Sequence, residues 1–357
     1  MPQHDPQESA FAFQGNWKEY APIALTNLLL TIVTLGVYRF WARTRERRYL
    51  WSRTRFIDDT LEWTGTGMEL FIGFIMAAVL ILLPLFMLNF GVQALAMRGY
   101  IGLVAVMVPA LYVFLLYIVG LAQFRALRYR LSRTFWHGIR GGSADPGFAY
   151  GWSAVWKPII GMLAAGLMVP WSMCELWNER WRSMSFGPHP FTSDVRPGPL
   201  MGRYLLFYLL PIAGCVAAIG GVIFAVSHGN APPKAAGAFI GFVVLGVIAA
   251  YLAMGVIALA FYAKYFREAV GHLSLTTVHF EFTARTMDWF KLIIGNILLV
   301  IVTLGIGYAF LGYRSWKFFI THMEASGEID LATLTQSDTP ELKQGEGLLD
   351  AFDVGAI

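Results

Sequence analysis

Four stretches of this chain, residues 69–90, 101–122, 204–226 and 236–262, run for more than 20 residues with no charge except Glu69 at one edge. A bilayer core about 30 Å thick needs about 20 apolar residues to cross as a helix, and water cannot solvate such runs. The first and second stretches are joined by a short loop, as are the third and fourth, so each pair reads as a transmembrane hairpin. Three further apolar runs, 21–38, 158–173 and 289–310, bring the expected number of spans to between four and seven. The run 158–173 follows Lys157-Pro158, contains Pro170 and meets Glu175, so its uncharged part is short for a crossing. Residues 1–20 lack the apolar core of a cleavable signal peptide, and insertion is expected to be driven by the internal segments.

Hydrophobic residues make up 57% of the 357 and charged residues 14%, whereas a soluble domain carries about a quarter charged. The nominal charge of +4 divides unevenly. Residues 324–357 hold eight acids and one base, which leaves 26 bases and 15 acids in residues 1–323. The bases are clustered as well. Seven arginines fall in 39–55 and five in 125–140, two spans apart and therefore on one side, whereas the hairpin loops hold only Arg98 and Lys234. By the positive-inside rule both clusters are cytoplasmic, and an even number of crossings separates Arg140 from Arg203. That parity makes 158–173 less than a full span.

The chain matches itself at an offset of 269 residues, where ten of 26 positions are identical between Phe11–Gly36 and Phe280–Gly305. The match includes Asn27 with Asn296 and the run Ile-Val-Thr-Leu-Gly. A second match, at an offset of 80, pairs Arg48-Tyr49-x-x-Ser52-Arg53-Thr54 with Arg128-Tyr129-x-x-Ser132-Arg133-Thr134. Segments with apolar residues two apart, near residues 11, 61, 148 and 280, suit strands that pair into a small sheet at the membrane surface. Such a sheet would make 21–38 and 289–310 re-entrant. The expected organisation is a membrane domain, 1–323, of modules at about 11–60, 61–147, 148–279 and 280–323, followed by an acidic tail, 324–357. The expected fold class is an all-α polytopic membrane protein of transmembrane or re-entrant helices, with short strands as an accessory.

The order Phe11-x-Phe13-x-Gly15, then Asn27, Leu29, Leu30, Thr34-Leu35-Gly36, Tyr38 and Trp41, then Arg43, Arg45, Arg47, Arg48 and Tyr49, then Leu61-x-Trp63-x-Gly65 resembles the YjgN-type bacterial inner-membrane proteins. That family usually has Pro where this chain has Phe40, and the C-terminal module keeps only Arg314 and Lys317 of the basic cluster. The resemblance implies a multi-pass protein of the bacterial inner membrane and names no substrate.

The candidate site residues follow from chemistry at the headgroups. Arg39, Trp41, Arg43, Arg45, Arg47, Arg48, Tyr49 and Arg53, with Arg128, Tyr129 and Arg133, form an Arg/aromatic rim that either binds anionic lipid or fixes topology. Asn27 and Asn296 are buried amides at equivalent points of the repeat, either a paired polar site or packing hydrogen bonds. The glycines of the second hairpin, among them Gly214, Gly220, Gly221 and Gly255, suit close helix packing or an oligomer face. The segment 183–200, rich in Pro, Gly and Ser, reads as a loop. No P-loop, GxSxG, HExxH or multi-cysteine pattern is present, so no enzyme activity, cofactor or metal is expected. The expected role is transport or lipid interaction, with anionic lipids, a membrane-protein partner or a second copy as partners, and no nucleic acid. The alternative is a structural or assembly factor.

Overall fold

The short β-hairpins explain the shape of the whole chain. The computed structural model describes residues 9–227, 233–329 and 334–340. Strand β1 (Phe11–Phe13) leads into α1 (Trp17–Val33), a turn at 34–38, and α2 (Arg39–Ser52). Strands β2 (Thr54–Phe56), β3 (Asp59–Thr60) and β4 (Glu62–Trp63) follow, then α3 (Gly67–Ala77), a π-helical turn Ala78–Leu82, α4 (Leu83–Met97) and α5 (Ile101–Arg133). After β5 (Thr134–Trp136) and β6 (Ile139–Gly142) come α6 (Phe148–Leu163) and α7 (Val169–Arg182). Strands β7 (Ser185–Phe186) and β8 (His189–Ser193) precede α8 (Gly198–Tyr204), α9 (Leu206–Ser227) and α10 (Pro233–Gly271). The last elements are β9 (Leu273–Leu275), β10 (Val278–Phe282), α11 (Thr286–Val302), a 3-10 turn Ile306–Phe310, α12 (Leu311–Thr321) and β11 (Met323–Ser326). Three short helical hairpins, α1–α2, α6–α7 and α11–α12, therefore alternate with two longer pairings, and each exit helix feeds a strand.

The expectation of an all-α polytopic fold is corrected by the sheet. Strands β4 to β11 form one antiparallel eight-stranded sheet in sequence order, and β1, β2 and β3 form a second. Leu61 alone separates β3 from β4, so the two are continuous along the chain. The assembly curls. Phe280 on β10 has its ring 6.5 Å from Phe191 on β8, 6.5 Å from Phe56 on β2 and 6.4 Å from Phe11 on β1. In a flat sheet with strands about 4.8 Å apart, β10 and β2 would lie roughly 30 Å from each other. Closure brings β11 beside β1, which shelters both edges. Phe11, Phe56, Trp136, Phe186, Phe191 and Phe280 meet in the interior.

Each exit helix packs on its own hairpin: α2 on β4, α5 on β6, α7 on β8 and α10 on β10, while α12 packs on β1 and so joins the ends of the chain. Two-residue turns make these hairpins tight, and Ile57, His137 and Thr276 all have positive φ, the geometry such turns require. Within 183–200, which reads as a loop in the sequence, residues 185–193 form a β-hairpin turning at Gly187-Pro188, 194–197 are irregular and 198–200 start α8. Conversely, the alternating segment near 148 is the first turn of α6. Apolar residues at 148, 150 and 152 fit a helix as well as a strand, and Asp145 Oδ1 accepts from Gly147 N at 2.7 Å to start the helix.

The runs 21–38, 158–173 and 289–310 each break at a turn. Leu35, Ala165 and Leu304 have positive φ there, and each is followed by Gly. Among the described residues, two helices are long and apolar enough to cross a membrane: Ile101–Arg133 and Val244–Gly271, the latter the larger part of α10. Gly214, Gly220, Gly221 and Gly255 have open space where a side chain would be among the described residues.

Candidate functional site

Helix α2 carries most of the expected rim, and the fold splits it. Arg47 is buried and stacks over Trp63 at 4.9 Å. Arg39 lies over Phe40 and Phe74, and Trp41 packs on Phe71 at 5.5 Å. Tyr49 donates to Asn16 O at 2.9 Å, and Arg53 pairs with Glu19 at 3.0 Å. Arg43 is half-buried, whereas Arg39, Arg45, Arg48 and Arg53 are exposed. The second cluster is more internal still. Arg128 is buried and donates to Ser143 O at 3.0 Å. Arg133 clasps both carboxylate oxygens of Glu69 at 3.0 and 3.1 Å, and the Tyr129 hydroxyl donates to the same carboxylate at 3.0 Å. Charge-assisted bidentate pairs of this kind fix geometry, so these residues tie α5 to α3.

Asn27 is buried and donates from Nδ2 to Ala42 O at 3.1 Å, a bond within its own hairpin. At the tips, Thr34 donates to Leu30 O and accepts from Tyr38 N, while Thr303 donates to Leu299 O and accepts from Gly307 N. Asn27 and Asn296 each stand eight residues before the positive-φ residue of their tip, and both have a buried side-chain oxygen without a partner among the described residues. The third hairpin has Lys157 at that place. Its ammonium is buried and lies 2.7 Å from Glu179 Oε2 and 3.8 Å from Glu175. Sequence reasoning treated Lys157 as a segment edge; the tip geometry aligns it with the two asparagines.

Sequence reasoning also passed over Arg180. It is buried on α7, with its Cζ 5.5 Å from the Trp177 ring centroid. It lines a cavity of about 500 Å³ between α7, α10 and α11. Three donors on that lining, Arg180 Nε, Trp177 Nε1 and Trp289 Nε1, are buried without an acceptor among the described residues. Nearby Cys174 is fully buried, and burial first, then Glu175 and Glu268, push its thiol up to about 12. Cys215 lies outside the residues whose side chains are described.

Residues 8–351 match the family described as bacterial protein of unknown function, DUF898. The chain belongs to that family. It is 23% identical to the inner membrane protein YjgN of Salmonella typhimurium strain LT2, over 94% of this chain and 93% of the relative. It is 34% identical to the inner membrane protein YjgN of Escherichia coli K12 over 68 residues, 19% of this chain and 17% of that protein. No solved structure matches. The resemblance to YjgN-type proteins read from the first module therefore extends over nearly the whole chain.

In this DUF898 chain, the acidic C-terminal segment starts within β11, the Thr277 hydroxyl donates to Glu328 O, and Gln336 and Thr339 meet the β5–β6 hairpin. Gln336 accepts from Arg140 N at 3.2 Å and donates to Gly138 O at 3.0 Å, and Thr339 Oγ1 accepts from the Arg140 guanidinium at 3.2 Å. Residues 341–357, the rest of that tail, lie outside the described residues. Among the described residues no group of three or more His, Cys, Asp and Glu side chains is placed to hold a metal ion.

Proposed function

We propose that this chain is a bacterial inner-membrane protein in which the helices α3–α5 and α8–α10 cross the bilayer, and which binds lipid. The three short hairpins dip into the bilayer, and the β-ring stands on the cytoplasmic surface. The observation that carries this reading is the exposure of α5. Its apolar window has no buried residue, whereas its last turns bury Phe124, Arg128, Tyr129 and Ser132. A 33-residue helix is about 50 Å long by its rise, roughly 20 Å more than the hydrocarbon needs. The surplus length reaches the ring. The hairpin tips are apolar as well, with Leu35 and Leu304 each 94% exposed. Helix α1, at 17 residues, spans only about 25 Å, so it fits a re-entrant element better than a crossing.

On this reading the exposed Arg48 and Arg53, at the end of α2 that feeds β2, sit at the ring end of the helices at headgroup level, where each basic residue gains about 1 kcal/mol from anionic lipid, with Arg45 about one turn further from the ring and Arg39 beside the hairpin tip. The role is binding, not catalysis. A second reading, assembly with a membrane partner, draws on Gly214, Gly220 and Gly221, where no described residue lies within 4 Å of an added side chain and a helix can approach closely.

Alkaline-carbonate extraction combined with cysteine accessibility tests the arrangement in a Cys215→Ala background. Asp58→Cys in the β2–β3 turn is expected to be labelled from the cytoplasm and Gly99→Cys in the α4–α5 loop from the outside. Labelling of both from one side overturns it.

A further inference from the structure

The cavity between α7, α10 and α11 has a polarity gradient along its length. At one end lie Gly255, Leu259 and Ile293, and Gly255 and Ile293 are exposed on the apolar surface. At the other end lie Trp177, Arg180, Phe266 and Trp289, toward the ring. The two ends of the α10 lining, Gly255 and Phe266, are about 16 Å apart by helical rise. Its volume of about 500 Å³ falls within the range of roughly 300–1,000 Å³ usual for ligand sites.

The ring end holds three donors that have no acceptor among the described residues. Arg180 is 91% buried by its 9% exposure, carries a permanent charge, and has an unpartnered Nε; the indole N–H groups of Trp177 and Trp289 are likewise buried and unsatisfied among the described residues. One buried guanidinium nitrogen and two buried indole N–H groups without acceptors among the described residues are costly, and such donors are completed by what binds beside them. The group that best suits a guanidinium beside two indole donors is an anion with several acceptor oxygens. The rest of the lining is hydrocarbon and aromatic surface, so the anion must carry an apolar tail.

We infer that this cavity holds one membrane lipid with an anionic headgroup, its oxygens meeting Arg180, Trp177 and Trp289 and its chain leaving past Leu259 and Gly255 into the bilayer. The inference rests on the membrane reading above and adds a single defined site to it. Lateral entry follows from the geometry, because the mouth at Gly255 and Ile293 opens on the exposed apolar face. The rim arginines of α2 are separate from this site, since none of them lines the cavity.

The test is native mass spectrometry of the full chain released from nanodiscs made with phosphatidylglycerol or with phosphatidylcholine. The expected result is one phosphatidylglycerol retained per chain, with about tenfold less after Arg180→Gln, the loss appropriate to one charge-assisted hydrogen bond. Trp289→Phe keeps the ring and removes the donor, and is expected to weaken retention by a smaller factor. Gly255→Trp blocks the mouth without touching a charge and is expected to abolish retention; the open space at Gly255 makes this substitution compatible with folding. Equal retention in wild type and Arg180→Gln, or equal retention of phosphatidylcholine, overturns the site while leaving membrane insertion intact. Inorganic phosphate at millimolar concentration displacing the lipid from every variant alike overturns the lipid as the source of the anion. A chain released by alkaline carbonate overturns the membrane reading itself.

Discussion

Lys157 Nζ lies 2.7 Å from Glu179 Oε2 across the α6–α7 hairpin, and Ser153 Oγ donates to the other oxygen of the same carboxylate at 2.7 Å. The flanking hairpins place Asn27 and Asn296 where this one places Lys157, so a neutral amide and a charged pair solve the same packing problem. An intramembrane or near-membrane lysine is expensive unless it is paired. The lysine side chain is 9% exposed and the glutamate 29%.

Lys157→Met is therefore expected to destabilise the protein by about 1–3 kcal/mol, less than the loss from breaking a fully buried pair because Glu179 keeps some contact with solvent. The double variant Lys157→Met/Glu179→Leu is expected to regain most of that loss. Thermal unfolding of the detergent-solubilised chain measures both. A double variant as unstable as the single one contradicts the pairing.

The arginines of the rim separate into two kinds by the same test. Arg45→Gln with Arg48→Gln is expected to lower the enrichment of anionic over zwitterionic lipid around the protein, by roughly fivefold per residue at about 1 kcal/mol each. Arg133→Gln is expected to leave that enrichment unchanged and instead to cost about 1–3 kcal/mol of stability, since it strips the clasp on Glu69. Lipid analysis of nanodiscs of mixed composition reads the first effect and unfolding reads the second.

Periodicity located the long apolar runs, and the alignment of Thr34-Leu35-Gly36 with Thr303-Leu304-Gly305 located two tips with the same hydrogen bonds. It did not show that Ala164-Ala165-Gly166 makes a third, because the hydroxyl that links the others is absent there. The sheet was legible only in fragments. Its strands are two to five residues long, too short for alternation to be distinguished from a helix turn, and their turns His137-Gly138 and Gly187-Pro188 read equally well as loop. The cavity was not legible at all. Arg180 stands beside Glu179 in a charged stretch, and only the packing of α10 and α11 over α7 turns it into a buried donor.

Cys174 gives a pH-dependent outcome. With the thiol held up at about 12 against an ordinary 9.0, the unfolded chain releases a proton in that window that the folded chain keeps. Stability is unaffected by this group below pH 9 and falls as pH rises from about 9 toward 12. In a Cys215→Ala background, alkylation at pH 8 is expected to be slow in the folded protein and fast once it is denatured. Cys174→Ala is expected to remove that thiol's share of the alkaline destabilisation. Fast labelling of the native chain at pH 8 contradicts the burial.

Trp51 on α2 and Trp316 on α12 stack with ring centroids 4.0 Å apart, which joins the first helical hairpin to the last. Their indole nitrogens reach outward in different directions, Trp51 to Thr134 Oγ1 and Trp316 to Thr54 Oγ1, each at 2.9 Å. Thr54 is fully buried and also donates to Leu50 O, so its hydroxyl has both of its roles filled. Thr54→Val keeps the shape and leaves the Trp316 N–H buried without an acceptor, which is expected to cost about 1–3 kcal/mol. Replacing Trp51 and Trp316 by Leu singly and together is expected to show a coupling of about 0.5–1.5 kcal/mol, the size of an aromatic pair beyond its area. If ring closure depends on this junction, the effect is not local. Loosening α12 also frees β11 from β10, and with it the bond from the Tyr313 hydroxyl to Gly15 O at 2.9 Å. Hydrogen exchange of the Trp316→Leu variant is then expected to rise in β1 and β11 together, while β6 and β7, on the far side of the ring, keep their protection. A rise confined to α12 contradicts closure by this pair.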